Sequence, residues 1–343
     1  MHHHQSSNPQ DERDEENDES FFAGKSITIT GGAGFIGSHL ARKLVALNAN
    51  VRIIDDLSGS TLDNLATIKS SIEFNHASIL DREALAETVA GSEIIFHQAA
   101  LASVPASIEN PERYHEVNIT GTMRVLEAAR KKNVNRLVFA SSSSVYGDLP
   151  SLPKYETDRP EPLSPYAMQK LTGEFLLDVW ARCYQLTTIS LRYFNIFGPG
   201  QSADSAYAAV VAAFAKTLLK NKPPRIFGDG SASRDFTFID NVVQANLRAA
   251  SIPQDKLQSR LAGRSPIFNV ACGKQTTVLE LANAMIAQTN PDLAPVFDPP
   301  RPGDVLRSLA DISLASEVLG FAPTTGLDEG LKQTIEWYRT QIT

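Results

Sequence analysis

Cysteine is scarce in this chain of 343 residues, which contains only Cys183 and Cys272. Two cysteines without CxxC spacing supply neither a disulfide framework nor a thiolate zinc site, so we predict no metal centre and expect a reducing, cytoplasmic environment. Long apolar runs are missing as well. No uninterrupted apolar stretch reaches the roughly 18 residues that cross a bilayer, and no secretory signal precedes the first predicted strand, so no membrane association is expected.

Basic residues are outnumbered, with 32 Lys and Arg against 39 Asp and Glu and a formal net charge of −7. Residues 10–20, "QDERDEENDES", hold seven of the acids against Arg13, which leaves a net of only −1 for the rest of the chain. Such a body offers no basic face for nucleic-acid phosphates, so no nucleic-acid partner is predicted. Residues 1–20 have almost no apolar side chains and are predicted to be a disordered acidic tail. We interpret its "HHH" as a tag remnant, and we expect deletion of residues 1–20 to leave turnover unchanged.

Short β-rich runs alternate with helical patterns from residue 26 onward. The order is "SITIT", "GSHLARKLVALN", "VRIID", "DREALAETVAG", "EIIFHQAA", "NITGTMRVLEAARKKN", "RLVFASSS", "SPYAMQKLTGEFLLDVWARCYQ" and "TTISLRYFNIFG". This alternation predicts βαβ units and a doubly wound parallel sheet of the Rossmann type. After residue 196 the rhythm becomes irregular and rich in Gly and Pro. We therefore predict a cofactor-binding domain at 21–195, to which segments around 235–270 return, and a smaller α/β substrate lobe mainly at 196–343.

A glycine-rich turn follows the first predicted strand in "ITITGGAGFIGSHL". Gly31 permits the tight turn, Gly34 lets the backbone approach a pyrophosphate, and Gly37 allows the helix to lie close to the strand. The second strand ends at Asp55, 18 residues after Gly37, where a carboxylate can accept hydrogen bonds from a ribose and repel a 2′-phosphate. These signals predict NAD rather than NADP as the cofactor, with Asp56 as a turn residue.

A tyrosine and a lysine lie four residues apart in "SPYAMQK". On a helix, Tyr166 and Lys170 share one face, about 6 Å apart along the axis. An ammonium near a phenol favours the phenolate, so a phenol with an ordinary pKa of about 10 can become a base. The row "SSSS" at 141–144 ends the preceding strand and can supply a hydroxyl to the same site.

These motifs together resemble the extended short-chain dehydrogenase/reductase family, and in particular its nucleotide-sugar 4-epimerase branch. The resemblance spans about residues 26–340. It rests on "TGGAGFIGSHL", "FHQAALASVPASIENP", "VNITGT", "ASSSSVYGD", "SPYAMQK", "LRYFNIFGP", "FGDGSASRDF" and "RPGDVLRSLAD".

The resemblance implies a reaction and its residues. Tyr166, helped by Ser142 and Lys170, takes the proton of a sugar C4 hydroxyl while hydride moves to NAD+, and the 4-keto sugar is reduced on its other face. Tyr146 and Gly147 look structural. Related dehydratases have an Asp-Glu pair beside the catalytic hydroxyl, whereas residues 141–144 carry only hydroxyls, so dehydration is not expected.

The resemblance also assigns binding residues. The cofactor set is Gly31, Gly34, Phe35, Ile36, Gly37, Asp55, Ser78, Ile79, Ala99, Asn118, Tyr166 and Lys170, with Ser78 standing where the family commonly has an Asp near the adenine. The nucleotide-sugar set is Ser103, Ser142, Ser143, Ser144, Asn195, Gln201, Ala209, Phe227, Arg234, Arg301, Asp304 and Ser308. In this set, Arg234 and Arg301 are the diphosphate-binding arginines, since a guanidinium donates paired hydrogen bonds.

Substrate choice in this branch is linked to the position seven residues after the second arginine, which is bulky in enzymes limited to non-acetylated sugars. Here it is Ser308, which leaves room for an N-acetyl group and implies interconversion of UDP-GlcNAc and UDP-GalNAc, a step that commonly feeds surface polysaccharide assembly. UDP-glucose/UDP-galactose and UDP-uronic acids stay open as substrates, because one change of pocket volume discriminates by only about 1–3 kcal/mol. A non-catalytic NAD-binding scaffold is the alternative from another class. The helices at 112–133 and 164–185 are those with which the family forms a four-helix homodimer interface, although their apolar faces can equally pack on the sheet.

Overall fold

A seven-stranded sheet forms the centre of the protein in the computed structural model, which describes residues 20–203, 209–300 and 306–342. The strand order is β11-β6-β5-β4-β1-β2-β3, and every neighbouring pair is parallel. Its strands are β1 (Ser26–Thr30), β2 (Asn50–Asp55), β3 (Ile72–His76), β4 (Ile94–His97), β5 (Arg136–Ser142), β6 (Thr187–Tyr193) and β11 (Ile267–Val270). The chain order reverses direction between β1 and β4, which is the switch point where such sheets bind ligands. The predicted fold class is confirmed.

After a short helical turn at 20–22, twelve α-helices occur in the described ranges. They are α1 (Phe35–Ala46), α2 (Arg82–Val89), α3 (Val104–Glu109), α4 (Pro111–His115), α5 (Thr122–Lys131), α6 (Pro165–Tyr184), α7 (Val210–Leu218), α8 (Ile239–Ser251), α9 (Gln254–Leu261), α10 (Val278–Thr289), α11 (Ser313–Leu319) and α12 (Leu327–Ile342). Within the described part of the chain, no helix combines the length and apolar character needed to cross a bilayer.

Both faces of the sheet are buried, because successive side chains of each strand point to opposite sides. In β5, Leu137 and Phe139 join one core with α2, α5 and α6, while Val138 and Ala140 join the other with α1 and α8. The apolar run "LVFA" is therefore a strand with helices packed on both of its faces. This arrangement explains why the alternation of strand and helix patterns predicted a sheet between two helix layers.

The second half of the chain returns to this sheet before it forms its own small elements. Helix α8 packs in the same core as α1, and Arg136 at the start of β5 donates to the carbonyls of Ala249, Ala250 and Ile252 at its end. The seventh strand, β11, then pairs with β6. The described residues also form three two-stranded pairs separate from this sheet. They are β7 (Ile196–Phe197) with β10 (Thr237–Phe238), β9 (Ser233–Arg234) with β12 (Thr276–Thr277), and β8 (Arg225–Phe227) with β13 (Val296–Asp298).

Two features of the fold differ from the sequence prediction. The strand β3 was not predicted, nor was the 3₁₀ helix Leu62–Ser71 that precedes it. The helix predicted from residue 118 begins as a π-helical segment, Glu116–Gly121, before α5 continues it. The predicted acidic tail lies outside the described residues apart from Ser20, where a short helical turn begins.

Candidate active site

The glycine turn after β1 is closely packed against the next strand. Gly31 has a positive φ of 70°, and its amide donates to Ile54 at 2.8 Å. A Cβ at Gly31 would lie 2.6 Å from the Ala99 nitrogen, and one at Gly37 would lie 2.2 Å from the Gly31 oxygen. Only glycine fits either position. Helix α1 starts directly after Gly34, so its amino-terminal amides face the turn, as a pyrophosphate site requires.

Asp55 closes this turn from the end of β2. Its buried carboxylate accepts from the amides of Ala33 (2.9 Å) and Leu57 (2.9 Å) and from the Ser60 hydroxyl (3.1 Å). Two carboxylate oxygens have about four lone-pair sites, so one more donor, such as a ribose hydroxyl, can be accepted. Asp56 instead accepts from the amide and hydroxyl of Ser58, as a turn residue does.

A cavity lies at the carboxyl ends of β1, β2 and β4, on both sides of the switch point. Its lining includes Gly31, Gly34, Asp55, Ser78, Ile79 and Ala99 of the predicted cofactor set, together with Gln98 and Leu101. A glycine turn at a helix start, a ribose-type carboxylate and an apolar wall on one cavity fit a dinucleotide. Phe35 and Ile36 lie in the first turn of α1, beside this cavity.

Asn118 supports the cavity from behind. Its carboxamide oxygen accepts from the Leu101 amide at 2.9 Å, and its nitrogen donates to the Leu101 carbonyl and to Gln169 of α6, both at 3.0 Å. The residue predicted to bind cofactor therefore also fixes the cavity wall to the helix that carries Tyr166. Among the described residues, no group of three His, Cys, Asp or Glu side chains is arranged to hold a metal ion.

The three predicted catalytic residues converge at the end of β5. The Lys170 ammonium donates to the Ala140 carbonyl at 2.7 Å and lies 5.9 Å from the centre of the Tyr166 ring. Ser142 is hydrogen-bonded to the Tyr166 side chain, and its hydroxyl also accepts from the Ser144 amide at 3.2 Å. Tyr166 and Lys170 are both buried. The site thus pairs a phenol with a hydroxyl and a cation in a water-poor environment.

Burial opposes the charged form of both groups on α6. It raises the pKa of Tyr166 to about 12, although the hydrogen bond with Ser142 lowers it. Burial also lowers the pKa of Lys170 to about 7, against the charge of Glu174, which raises it. The side chains alone therefore keep Tyr166 a phenol at neutral pH and leave Lys170 poised between ammonium and amine.

The amino-terminal ends of two helices, α6 and α3, position Tyr166. Ser164 caps α6 by accepting from the Ala167 amide at 3.2 Å, and Ser107 of α3 accepts from the Tyr166 amide at 3.2 Å. Ser103 caps α3 in the same way, with its hydroxyl bound to the Ala106 amide at 3.2 Å. Ser103 is therefore next to the catalytic helix start, and Ser107 is a positioning residue that the sequence prediction missed.

The buried carboxylate of Glu174, which sequence reasoning missed, also contacts the serine row. Glu174 accepts from the Ser141 hydroxyl at 2.5 Å, and its two oxygens accept from Arg192 of β6 at 2.9 and 2.7 Å. The prediction considered residues 141–144 alone and found no acid there. Since Glu174 is ion-paired with a guanidinium, it is not placed as the free acid that dehydration needs. The available signal was its spacing of four residues after Lys170.

The serine row also packs against the second half of the chain. Val145 and Tyr146 form a buried cluster with Phe194, Ala271 and Ala310. The Tyr146 hydroxyl donates to the Asn269 side chain at 2.7 Å, which agrees with a structural role. Of the neighbouring serines, Ser143 starts a 3₁₀ turn, and the Ser144 hydroxyl has no hydrogen-bond partner within the described residues.

Three of the predicted sugar-nucleotide residues lie together beyond this cluster. Ser308 donates its amide to the Ser233 carbonyl at 3.0 Å, which places it beside Arg234 of β9. Asn195 accepts from the Thr237 amide at 3.0 Å, on the next pair of strands. Asp235, between them, accepts from the amides of Cys272 (2.9 Å) and Ala310 (3.3 Å), and burial raises its pKa to about 6. These hydrogen bonds of Asp235 position the neighbouring segments, and the sequence prediction missed them.

The remaining predicted residues are more dispersed. Phe227 ends β8 and is 38% exposed, while Ala209 precedes α7 and is exposed. The Gln201 side chain donates to the Ile196 carbonyl at 3.0 Å within its own loop. That loop is held to helix α1 by His39, whose ring contacts the Pro199 carbonyl at 2.8 Å. Arg301 and Asp304 lie outside the described residues.

Known proteins are similar to this chain in sequence and fold. The chain matches the model of the NAD dependent epimerase/dehydratase family over residues 27–271. It is 40% identical to the UDP-glucose 4-epimerase of Mycolicibacterium smegmatis, over 91% of this chain and 98% of that protein. Among solved structures, it is 35% identical to the UDP-N-acetylglucosamine 4-epimerase of Methanobrevibacter ruminantium, covering 93% of this chain and 99% of that one with a TM-score of 0.87. It is also 30% identical to the UDP-glucuronic acid 4-epimerase of Bacillus cereus, with coverages of 92% and 99% and a TM-score of 0.82. The protein therefore belongs to the NAD-dependent epimerase/dehydratase family.

Proposed function

We propose that this protein is an NAD-dependent isomerase that inverts C4 of a UDP-sugar, interconverting UDP-GlcNAc and UDP-GalNAc. The observation that carries the proposal is the convergence of Ser142, Tyr166 and Lys170 beside the dinucleotide cavity. The serine row has no free acid for elimination, and similar proteins of known structure are 4-epimerases of UDP-sugars. Glycine turn, helix α1 and Asp55 would hold the cofactor.

Proton transfer at Tyr166 is the part of the reaction that the chain itself performs. As a phenolate beside Ser142, Tyr166 takes the proton of the sugar's C4 hydroxyl, and as a phenol it later returns that proton to the C4 oxygen. Bound NAD+ would supply hydride-accepting chemistry at C4 and a positive charge near the phenol. With the hydride given back to the opposite face of the same carbon, the reaction would be redox-neutral and its product would be the C4 epimer.

Activation of Tyr166 requires positive charge. Its pKa of about 12 must fall by about five units to act at neutral pH, which requires about 7 kcal/mol of differential stabilisation. The Lys170 ammonium supplies part of this, and the oxidised cofactor accounts for a further cation. The protein thus keeps Tyr166 protonated until a cofactor is in place.

Ser308 supports the N-acetylated substrates. The segment 306–310 runs beside β9, and its Ala310 packs in the buried cluster with Val145 and Tyr146. A small side chain at Ser308 therefore leaves volume near the proposed diphosphate residue Arg234. The related 4-epimerases act on plain, N-acetylated and uronic UDP-sugars by name, and their identities of 40%, 35% and 30% do not rank these substrates.

Proton NMR of the sugar anomeric signals tests the proposal. The purified protein is incubated separately with UDP-GlcNAc, UDP-glucose and UDP-glucuronate, with NAD+ and without added reductant. We expect a UDP-GalNAc signal to appear without net NADH. Conversion of UDP-glucose or UDP-glucuronate alone would refute the N-acetyl assignment but keep the mechanism, and conversion of none would favour the scaffold.

We also propose a homodimer through α5 and α6. Met168, Phe175 and Val179 of α6 are 41%, 61% and 48% exposed and follow a spacing of seven and four residues along one outer face. Met123 of α5 adds a further exposed apolar side chain, 40% exposed. Such a stripe on neighbouring helices suits a self-complementary interface between two copies.

A further inference from the structure

A buried ion pair lies directly behind the catalytic residues. The side chains of Glu174 and Arg192 are 1% and 2% exposed, and two hydrogen bonds join them. A buried pair of this kind is often no more stabilising than apolar residues of the same size, because both charges lose their water. Its place in the fold therefore calls for a reason other than stability.

Glu174 completes a row of contacts between α6 and the end of β5. Tyr166, Lys170 and Glu174 follow one another at intervals of four residues on one helix face. The last three residues of β5 each engage one of them. Ser142 is bonded to Tyr166, the Ala140 carbonyl to Lys170, and the Ser141 hydroxyl to Glu174.

We propose that Glu174 is a positioning residue of the epimerase site, which presents its carboxylate one helical turn from Lys170 and holds the β5 terminus so that Ser142 stays within reach of Tyr166. The proposal rests on the C4 epimerase function. Arg192 of β6 holds the Glu174 carboxylate in place through two hydrogen bonds. Glu174 itself contacts neither substrate nor cofactor in this arrangement; it acts through Lys170 and Ser141.

The charges that face Lys170 give the effect its sign. Burial lowers the pKa of Lys170 to about 7, and Glu174 is the group that raises it. His97 of β4 also faces this side chain, but burial lowers the pKa of that histidine to about 3, so it is neutral. Beyond Glu174 stand Arg192, with Tyr146 and Glu156 beside it. Loss of the Glu174 charge must therefore let Lys170 deprotonate at lower pH, and the ammonium that assists Tyr166 disappears sooner as pH rises.

Two variants test the proposal. Glu174→Gln removes the charge but keeps the shape and an acceptor for Ser141, although it leaves a buried guanidinium without its carboxylate. The double variant Glu174→Gln/Arg192→Gln removes both charges and can keep hydrogen bonds between the two amides, so it guards against a failure to fold. Glu93→Gln is the matched control, since Glu93 pairs with Lys25 at 3.0 Å at the opposite, amino-terminal edge of the sheet.

The measurements are the pH profiles of kcat and KM, with whichever UDP-sugar the wild type converts, and the titration of Lys170 by NMR of side-chain-labelled protein without cofactor. We expect the alkaline limb of kcat and the Lys170 titration to move down together by about one pH unit in Glu174→Gln, and in the same direction by less in the double variant, which also loses the Arg192 charge, with KM within twofold. The control should match the wild type. A loss of kcat that is equal at every pH, with an unchanged Lys170 titration, would show a merely structural pair and overturn the proposal. The NMR titration needs no substrate, so it separates this outcome from a failure of the substrate assignment.

Discussion

Tyr166 combines a buried ring with a hydroxyl whose contact is Ser142. Removal of this hydroxyl alone tests the mechanism. We expect Tyr166→Phe to lower kcat by about 10²- to 10⁴-fold, because a positioned general base contributes this much. The unfolding temperature should change little, since the ring and its packing remain. Kinetics with the preferred UDP-sugar and a thermal melt measure both.

Tyr184→Phe is the control for that variant. Tyr184 lies on the same helix, is 48% exposed and packs its ring against Trp180 at 5.5 Å, far along α6 from the serine row. It should retain wild-type turnover. Full activity of Tyr166→Phe would show that another group is the base.

The pair Tyr166 and Lys170 was predictable from the sequence, because i and i+4 positions share a helix face regardless of the rest of the fold. Glu174 continues the same spacing, but its partner Arg192 is 18 residues further along the chain and on a different strand. A sequence pattern cannot show that contact, because it depends on how α6 crosses β5 and β6. The expectation that Lys170 readily makes Tyr166 a base also neglected burial, which acts against both charges.

At the scale of elements, the glycine turn between β1 and α1 is the most demanding piece of backbone. We expect Gly37→Ala to destabilise the protein by about 1–3 kcal/mol, as overpacking does, and to weaken NAD binding at least tenfold. The reason is that its Cβ would lie 2.2 Å from the Gly31 oxygen, so the helix must move off the strand. Chemical denaturation and calorimetric titration with NAD measure the two effects.

Gly326→Ala provides the comparison, since a Cβ there meets no atom within 4 Å and the residue lies just before α12. It should leave the free energy of unfolding and NAD binding near the wild-type values. Equal behaviour of the two variants would contradict the packing argument.

Elements with strong periodicity were predictable and those defined by tertiary contacts were not. The strand patterns "SITIT" and "RLVFA" each bury both faces, so their apolar runs were unambiguous. Strand β3, "IEFNH", is at the edge of the sheet and mixes polar with apolar residues, which hides it. The π-helical segment at 116–121 contains Gly121, where a Cβ would lie 2.5 Å from the Ile79 side chain, a contact visible only in three dimensions.

At the scale of the whole molecule, buried histidines make stability depend on pH. Thr122 donates its hydroxyl proton to the Asn118 carbonyl at 2.7 Å, so His97 Nε2 donates to Thr122 and its Nδ1 accepts from Thr30. The ring is thus satisfied only when neutral. Burial lowers the pKa of His97 to about 3, and that of His39 to about 4.

The unfolded chain takes up these protons near pH 6.5, whereas the folded chain does not. Stability conferred by neutral His97 is therefore fully present above pH 6.5 and is lost as pH falls toward 3. As pH falls below 6.5, the free energy of unfolding should decrease more steeply in the wild type than in His97→Gln. The two slopes should differ by about 1.4 kcal/mol per pH unit. Denaturant titrations between pH 4.5 and 7 measure the slopes; carboxylates titrate in both proteins, so they largely cancel. Identical slopes would show that His97 is protonated in the folded state.

Assembly is the other whole-molecule prediction. We expect Phe175→Asp to convert the proposed dimer to a monomer, because the charge falls in the centre of the apolar stripe on α6. Light scattering after size-exclusion chromatography gives the mass directly. Phe297→Asp, at a residue 51% exposed in β13, should leave the mass unchanged. A wild-type monomer would refute the proposed dimer, and a Phe175→Asp dimer would place the interface elsewhere.

The return of the chain to its first sheet also constrains its synthesis on the ribosome. Strand β6 is complete at Tyr193, but the strand that covers its open edge ends at Val270. At about 5–20 residues per second, these 77 residues take roughly 4–15 seconds, during which β6 presents unpaired backbone groups. The nascent chain therefore passes through an interval in which it can pair with another nascent chain, and slow translation or excision of the first half at residue 195 should favour aggregation rather than an independent cofactor-binding module.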